Sequence, residues 1–252
     1  MAVSNIGELA PDGVREDIDV TFFVPCLNEE KYIAATLETV IAAAREFHWT
    51  YEVIVVDDGS TDRTATIVSD FCRADATLPV LLQRNPCNLG LARSFLNTAF
   101  RGRGRYYRLI CGDNIEPKDS MVAVLKHMGE ADIVMPYYPN LSGKSPVGRI
   151  LSKAYNSLVN FLSGHRIRYY NGNPLYRRHH VMRWAPHNNG FGYQADLVTQ
   201  LLDLNATYVE IPIAGMHRAK GRSSLKIRSM ISVAHSLLEI ALRRLQRLIP
   251  KS

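Results

Sequence analysis

The chain has 252 residues, enough for one large α/β domain with a well-buried core. An apolar share of 46% excludes wholesale disorder, and no run reaches the ~18 apolar residues of a membrane-spanning helix. The net charge of +6 favours anionic partners: nucleotides, phosphorylated substrates or an acidic membrane surface.

Residues 1–18 read as a loose leader. It is polar and acidic, without the basic start or apolar core of a secretory signal, so a cytoplasmic setting is expected. Cys26, Cys72, Cys87 and Cys111 lie in or beside apolar segments and read as thiols of a reducing compartment. "VTFFVP" (Val20–Pro25) is a buried strand stopped by proline. The helix that follows carries Ile33, Leu37, Val40, Ile41 and Ala44 at helical spacing, with Glu29 and Glu30 expected at its start. "YEVIVVDDGSTD" is a second strand and "TATIVSDFCRA" a second helix. "LPVLLQRN" and "LGLARSFLNTAFRG" form a third pair, "YYRLICGDN" and "KDSMVAVLKHM" a fourth, and "ADIVMPYY" is a fifth strand. The basic stretch Arg101–Arg108 reads as a solvated connection at a strand's amino end, so nucleic acid is not an expected partner.

Continuously apolar strands alternating with helices predict an α/β fold with a mainly parallel sheet covered on both faces. Ligands of such sheets bind beyond the carboxyl ends of the strands. Asn28–Glu30, Asp57–Asp62, Arg84–Asn88 and Asp113–Glu116 are therefore candidates by position. The second half predicts a helix over "GRILSKAYNSLVNFLSG" ended by Gly164, short paired strands around "IRYYNGNPLYRR", a helix "QADLVTQLLDLN" and a strand "ATYVEIPI". A basic loop then leads into a C-terminal basic amphipathic helix. Residues 19–215 are expected to form the domain and 216–252 the appended loop and helix.

"VPCLNEEKYI", "VVDDGSTDRT" and "NLGLARSFLNTAF" stand in the order of the motifs of family 2 glycosyltransferases, and the chain resembles that family from Val20 to Leu225. "GRILSKAYN", "GFGYQADLV" and "HRAKGRSSL" bring it nearest to the members that place a sugar on a polyisoprenyl phosphate, such as dolichyl-phosphate mannose synthases. The resemblance implies a GT-A (Rossmann-like) fold and a UDP- or GDP-linked sugar donor. It implies nucleotide binding by Pro25, Asn28, Glu29, Asp57, Asp58, Gly59, Asn88 and Gly90. It places Mg²⁺ or Mn²⁺ at Asp113, the second position of a D-x-D whose first position here is Cys111. A thiol suits a hard cation poorly, which leaves Asn114 or Glu116 as helpers.

Asp113, Asp196 and Arg218 are the implied catalytic residues. Arg149, Arg218, Ser223 and Lys226 are implied at the acceptor phosphate. The family's Lys of S-K-L is Ser224 here, and Pro174 stands where a further arginine would be. A phosphate acceptor is already anionic and needs cations, whereas a sugar hydroxyl needs a carboxylate base, for which Asp196 is the candidate. Transfer to a glycolipid or polysaccharide hydroxyl therefore stays open, as does a non-catalytic nucleotide-sugar-binding module. The apolar spacing from Ile227 to Leu248, with Arg243, Arg244 and Arg247, fits a helix lying on the anionic inner face of a membrane. Packing on the domain or on a second subunit of a homodimer are its alternatives.

Overall fold

The computed structural model describes residues 17–139, 146–185, 192–214 and 227–248. The first half alternates strictly: β1 (Ile18–Cys26), α1 (Ile33–Ala44), β2 (Tyr51–Asp57), α2 (Thr64–Ala74), β3 (Val80–Arg84), α3 (Leu91–Arg101), β4 (Gly104–Leu109), α4 (Lys118–Lys126) and β5 (Ile133–Tyr137). The second half adds α5 (Pro146–Ser163), β6 (Leu175–Arg177), α6 (Arg178–Met182), α7 (Tyr193–Asp203), β7 (Tyr208–Pro212) and α8 (Ile227–Leu248).

The strands form one seven-stranded sheet in the order β3-β2-β1-β4-β6-β5-β7. β1 pairs in parallel with β2 and β4, β2 with β3, and β5 with β7. β6 runs antiparallel to both β4 and β5, so β4 and β5 point the same way. All six parallel strands therefore end on one edge of the sheet, and the loops after them converge there.

Alternation along each strand feeds two cores. On one face Val20, Phe22 and Val24 of β1 meet Ile33, Leu37 and Val40 of α1 and Met121 and Val124 of α4. On the other face Phe23, Tyr107 and Tyr176 surround Phe95 of α3, whose ring centroid lies 4.9 Å from that of Tyr107 and 5.4 Å from that of Tyr193. α8 lies against α5 and α7, with Ser236 and Ile240 buried beneath it.

Three expectations change. Glu29 and Glu30 lie before α1 rather than in its first turn, because their loop is bonded to the loop after β2. The turn-rich segment before Leu175 yields one three-residue strand wedged between β4 and β5. Arg108 does not belong to a solvated connection. It sits within β4 with no exposed surface, paired to Glu116. Among the described residues no helix is long and apolar enough to cross a membrane.

Candidate active site

The loops after β1, β2, β3 and β4 enclose a cleft of about 440 Å³. Pro25, Glu29, Asp58, Asn88, Gly90 and Asp113 all line it, together with Cys111. The chain builds this cleft by bonding loop to loop. Asn28 takes a left-handed φ of 59°, which asparagine tolerates. Its backbone N–H donates to Ser60 Oγ (2.9 Å), and its Oδ1 accepts from the Thr61 N–H (2.9 Å). The N–H of Glu29 donates to Thr64 Oγ1 at 2.8 Å.

The two aspartates of "VVDDGS" divide their work. Asp58 accepts from the backbone N–H groups of Leu89 (2.9 Å) and Gly90 (3.0 Å) and from Asn85 Nδ2 (2.8 Å). Its carboxylate is thus spent on holding the wall that carries Asn88 and Gly90. Asp57 Oδ1 closes a turn by accepting from the Ser60 N–H at 2.9 Å. Its Oδ2 has no hydrogen-bond partner among the described residues and lies 3.5 Å from the Nε of exposed Arg84. Gly59 follows the two aspartates with φ +87°, and a Cβ there would stand 3.2 Å from the backbone of Asn88. It lines a more open hollow of about 500 Å³ beside Ser60, Thr61 and Arg84.

Asp113 reaches the cleft on a tight approach. A Cβ at Gly112 would stand 2.8 Å from the Pro25 carbonyl oxygen, so glycine lets this segment close on β1. Thr36 Oγ1 donates to the Gly112 carbonyl at 2.9 Å. Asp113 Oδ1 is buried without a hydrogen-bond partner among the described residues. Burial raises the Asp113 carboxyl above its ordinary value, and a backbone hydrogen bond from Ile115 opposes the rise. Glu29 is raised by burial and then by Asp113 and Asp62. Both carboxyls put negative charge on one cleft, and the unpartnered Asp113 Oδ1 is the oxygen that a cation would meet.

The remaining candidates do not add ligands. Burial, followed by the charge of Asp113, pushes the Cys111 thiol up to about 12, so it stays protonated. Asn114 Oδ1 accepts from Thr39 Oγ1 at 3.1 Å, and Glu116 is committed to Arg108. No set of three His, Cys, Asp or Glu residues converges among the described residues. The geometry fits a hard cation held by Asp113 with the rest of its shell left to phosphate oxygens and water.

A second cleft of about 550 Å³ opens on the same edge, beyond β5. Tyr137, Tyr138, Arg149, Lys153, Asn156 and Arg168 line it. Arg149 and Lys153 sit one turn apart on α5. Arg168 is held by Tyr137, donating from Nη1 to its hydroxyl (2.6 Å) and standing 4.8 Å from its ring centroid. Lys153 and Arg168 were missed by sequence reasoning. Lys153 lies inside "GRILSKAYN" as an ordinary helix lysine, and nothing local marks Arg168.

Asp196, at the start of α7, lines neither cleft. It is buried, accepts from Trp184 Nε1 at 3.0 Å and is ion-paired to Arg243 of α8. Pro174 is buried as well, so its position offers no cation. Arg218, Ser223 and Lys226 lie outside the described residues.

A mostly parallel sheet with an acidic, nucleotide-sized cleft at its carboxyl edge and a cationic cleft beside it is the layout of a GT-A glycosyltransferase. The chain belongs to glycosyl transferase family 2, whose pattern matches residues 21–201, and it is a glycosyltransferase. It is 25% identical over 252 aligned positions to dolichyl-phosphate beta-glucosyltransferase ALG5C of Trichomonas vaginalis, covering 90% of this chain and 72% of that protein. It is 30% identical over 160 positions to dodecaprenyl-phosphate galacturonate synthase of Rhizobium johnstonii, covering 62% of this chain and 46% of the other. Its fold is similar to that of glucosyl-3-phosphoglycerate synthase from Mycobacterium tuberculosis, solved with Mn²⁺, UDP-glucose and phosphoglyceric acid. The TM-score is 0.64 at 18% identity, over 94% of this chain and 82% of that one.

Proposed function

We propose that the chain moves a sugar from a nucleotide-sugar donor to a polyisoprenyl phosphate at the surface of an anionic membrane. The observation that carries this is α5. Arg149 and Lys153 face the second cleft, while Val147, Ile150, Leu151, Leu158 and Phe161 on the opposite side are exposed, Phe161 at 77%. One helix thus joins a phosphate-binding face to a face suited to lipid. On α8, Leu238, Leu242 and Leu245 are exposed in the same manner. The relatives named for dolichyl phosphate and dodecaprenyl phosphate agree with this acceptor class.

The donor's nucleotide lies in the first cleft, against Pro25, Glu29 and the loop that Asp58 holds. Its diphosphate would lie near Asp113, the residue that would hold Mg²⁺ or Mn²⁺ there. When bound, that ion neutralises charge growing on the leaving diphosphate. Arg149, Lys153 and Arg168 hold the acceptor phosphate, with Arg218, Ser223 and Lys226 assigned to the same anion. Their charge offsets the repulsion between acceptor and donor. An acceptor oxygen attacks the anomeric carbon as the bond to the diphosphate breaks on the opposite face. The sugar is inverted and the electron pair leaves with the nucleoside diphosphate. A phosphate nucleophile has no proton to give up, so no general base is required. Asp196 fits that scheme as the partner of Arg243, since its oxygens already serve Trp184 and Arg243. Lys153 and Arg168 supply the positive charge that Pro174 and Ser224 do not.

The test is incubation with radiolabelled UDP- and GDP-sugars, Mn²⁺ or Mg²⁺, and vesicles containing undecaprenyl or dolichyl phosphate. Label is expected in the lipid fraction as an acid-labile sugar phosphate. Transfer to a glycan hydroxyl with none to lipid phosphate would reverse the acceptor assignment. Donor binding without transfer or hydrolysis would leave a binding module.

A further inference from the structure

The strand that delivers Asp113 carries a charge in its interior. Arg108 of β4 has no exposed surface, and neighbouring Tyr107 and Leu109 are core residues. A guanidinium is costly to bury and persists only where partners repay its lost hydration. Its carboxylate partner is Glu116, itself only 4% exposed, with Nη2 2.5 Å from Oε1. Arg108 Nε donates to the Asn173 carbonyl at 3.2 Å. The Asn173 side chain in turn donates from Nδ2 to Cys111 Sγ (3.7 Å) and accepts from Gln194 Nε2 (2.8 Å). The network therefore reaches the position where a second metal carboxylate would stand.

Arg108 lies five residues before Asp113 and Glu116 three after it. Their bond closes the intervening segment into a loop whose two ends are fixed to the sheet. We propose that the Arg108–Glu116 pair is a positioning device for Asp113, and this rests on the donor-site reading above. Where two carboxylates grip an ion, the ion helps to set their geometry. A site with one carboxylate gains less from the ion, so its loop must be ordered beforehand by the protein. The buried pair supplies that order in a chain whose Cys111 cannot. Thr36 and Thr39 brace the same segment from α1, at Gly112 and Asn114.

The test separates positioning from mere stability. Replacing a buried ion pair by apolar residues of similar size is often neutral for folding. The double variant Arg108→Met with Glu116→Leu should therefore melt near the parent. Its affinity for Mn²⁺ in the presence of UDP or GDP, read by electron paramagnetic resonance, should fall about tenfold or more, as when groups that orient metal ligands are lost. The Mn²⁺ concentration for half-maximal transfer should rise while kcat at saturating Mn²⁺ changes less. Glu116→Asp keeps the charges but shortens the tether, and should fall between the two. If the double variant does not fold, Glu116→Asp alone decides. A folded variant with the parent's Mn²⁺ affinity would overturn the proposal and leave the donor site standing. Failure of the parent itself to bind Mn²⁺ with either nucleotide would overturn both.

Discussion

The proposed donor side and the proposed acceptor side of this molecule are built on different principles. On the donor side, four parallel strands end in loops stitched together by short polar side chains. Asn28, Asp57, Asp58, Asp62 and Thr64 each bond the backbone of their own or a neighbouring loop. On the acceptor side, the sheet is interrupted by antiparallel β6, and the cations project from one helix and one coil. Exposed apolar side chains accumulate there, on α5 and α8. Under the proposed function the contrast follows from the ligands. A nucleotide is met in water and rewards a preformed cleft. A lipid phosphate arrives from a membrane and rewards charge beside a surface that the bilayer can cover.

The largest expected break in this contrast is Asp113→Ala. Removing the carboxylate proposed to meet the diphosphate's ion should lower kcat by about a hundredfold to a thousandfold, the scale for losing a group that stabilises developing charge. Folding should suffer little: the Ile115 N–H loses its acceptor, at about 1–3 kcal/mol, while a buried and unpartnered Oδ1 is removed at the same time. The pH dependence has a definite sign. The Asp113 and Glu29 carboxyls are raised in the folded, metal-free protein, so between the ordinary and raised values the folded state binds more protons than the unfolded. Metal-free stability therefore falls as pH rises through that window and levels off above the raised value. Added Mn²⁺ with nucleotide should recover stability above the window and do little below it, where protons compete for the same oxygens. Thermal melts across pH, with and without Mn²⁺ and UDP or GDP, would check this. Asp113→Ala should show a weaker version of both slopes.

The next effect separates the two aspartates of the same motif. Asp58→Ala removes the acceptor for the Leu89 N–H, one of two acceptors for Asn85 Nδ2 and one of two for the Gly90 N–H. Leaving such donors unsatisfied costs about 1–3 kcal/mol, so the melting temperature should drop. The detached wall should raise the donor KM about tenfold or more, since small misplacements of a binding wall carry penalties of that order. Acceptor KM should stay near the parent value. An equal rise in both KM values would show that the two sides are not independent.

The donor side was legible because its chemistry is local. Asp57 to Ser60 form a turn by themselves, and a polar turn after an apolar run marks a strand tip. Glu29, Asp58, Asn88 and Asp113 are candidates by that position, Pro25 and Gly90 through the family resemblance, and all six line one cleft. What was missed depends on distant partners. The pattern "RGRGRYYR" looks solvated until Glu116 and Asn173 are seen around Arg108. Nothing local marks the roles of Ser94 and Phe95. Ser94 Oγ accepts from Asn85 at 3.1 Å, and Phe95 anchors an aromatic cluster with rings from four other elements. Arg168 joins Arg149 and Lys153 only because the coil after α5 passes Tyr137. The apolar spacing of the C-terminal helix drew attention to α8, yet α8 spends Ile240, Arg243 and Arg247 on the body of the protein. Among the described side chains, its neighbour α5 exposes more large apolar residues.

That last difference leads to the smallest expected effect. If α5 meets the bilayer, Ile150→Ser and Phe161→Ser should each weaken binding to anionic vesicles. A large apolar side chain gains about 1.5–3 kcal/mol on full burial, and partial insertion gains a fraction of that, so losses of about threefold to tenfold are expected. Leu242→Ser on α8, where 43% of the residue is exposed, should cost less than Phe161→Ser at 77%. None of these side chains lines either cleft, so binding of UDP or GDP with Mn²⁺ should be unaffected. Sedimentation with phosphatidylglycerol vesicles would rank the three variants. Raising salt should weaken the parent and the variants by the same factor, since the cations are retained and only apolar contact is lost. A larger loss from Leu242→Ser than from Phe161→Ser would move the membrane contact from α5 to α8. The acceptor cations would then stand on a helix that does not itself touch the lipid.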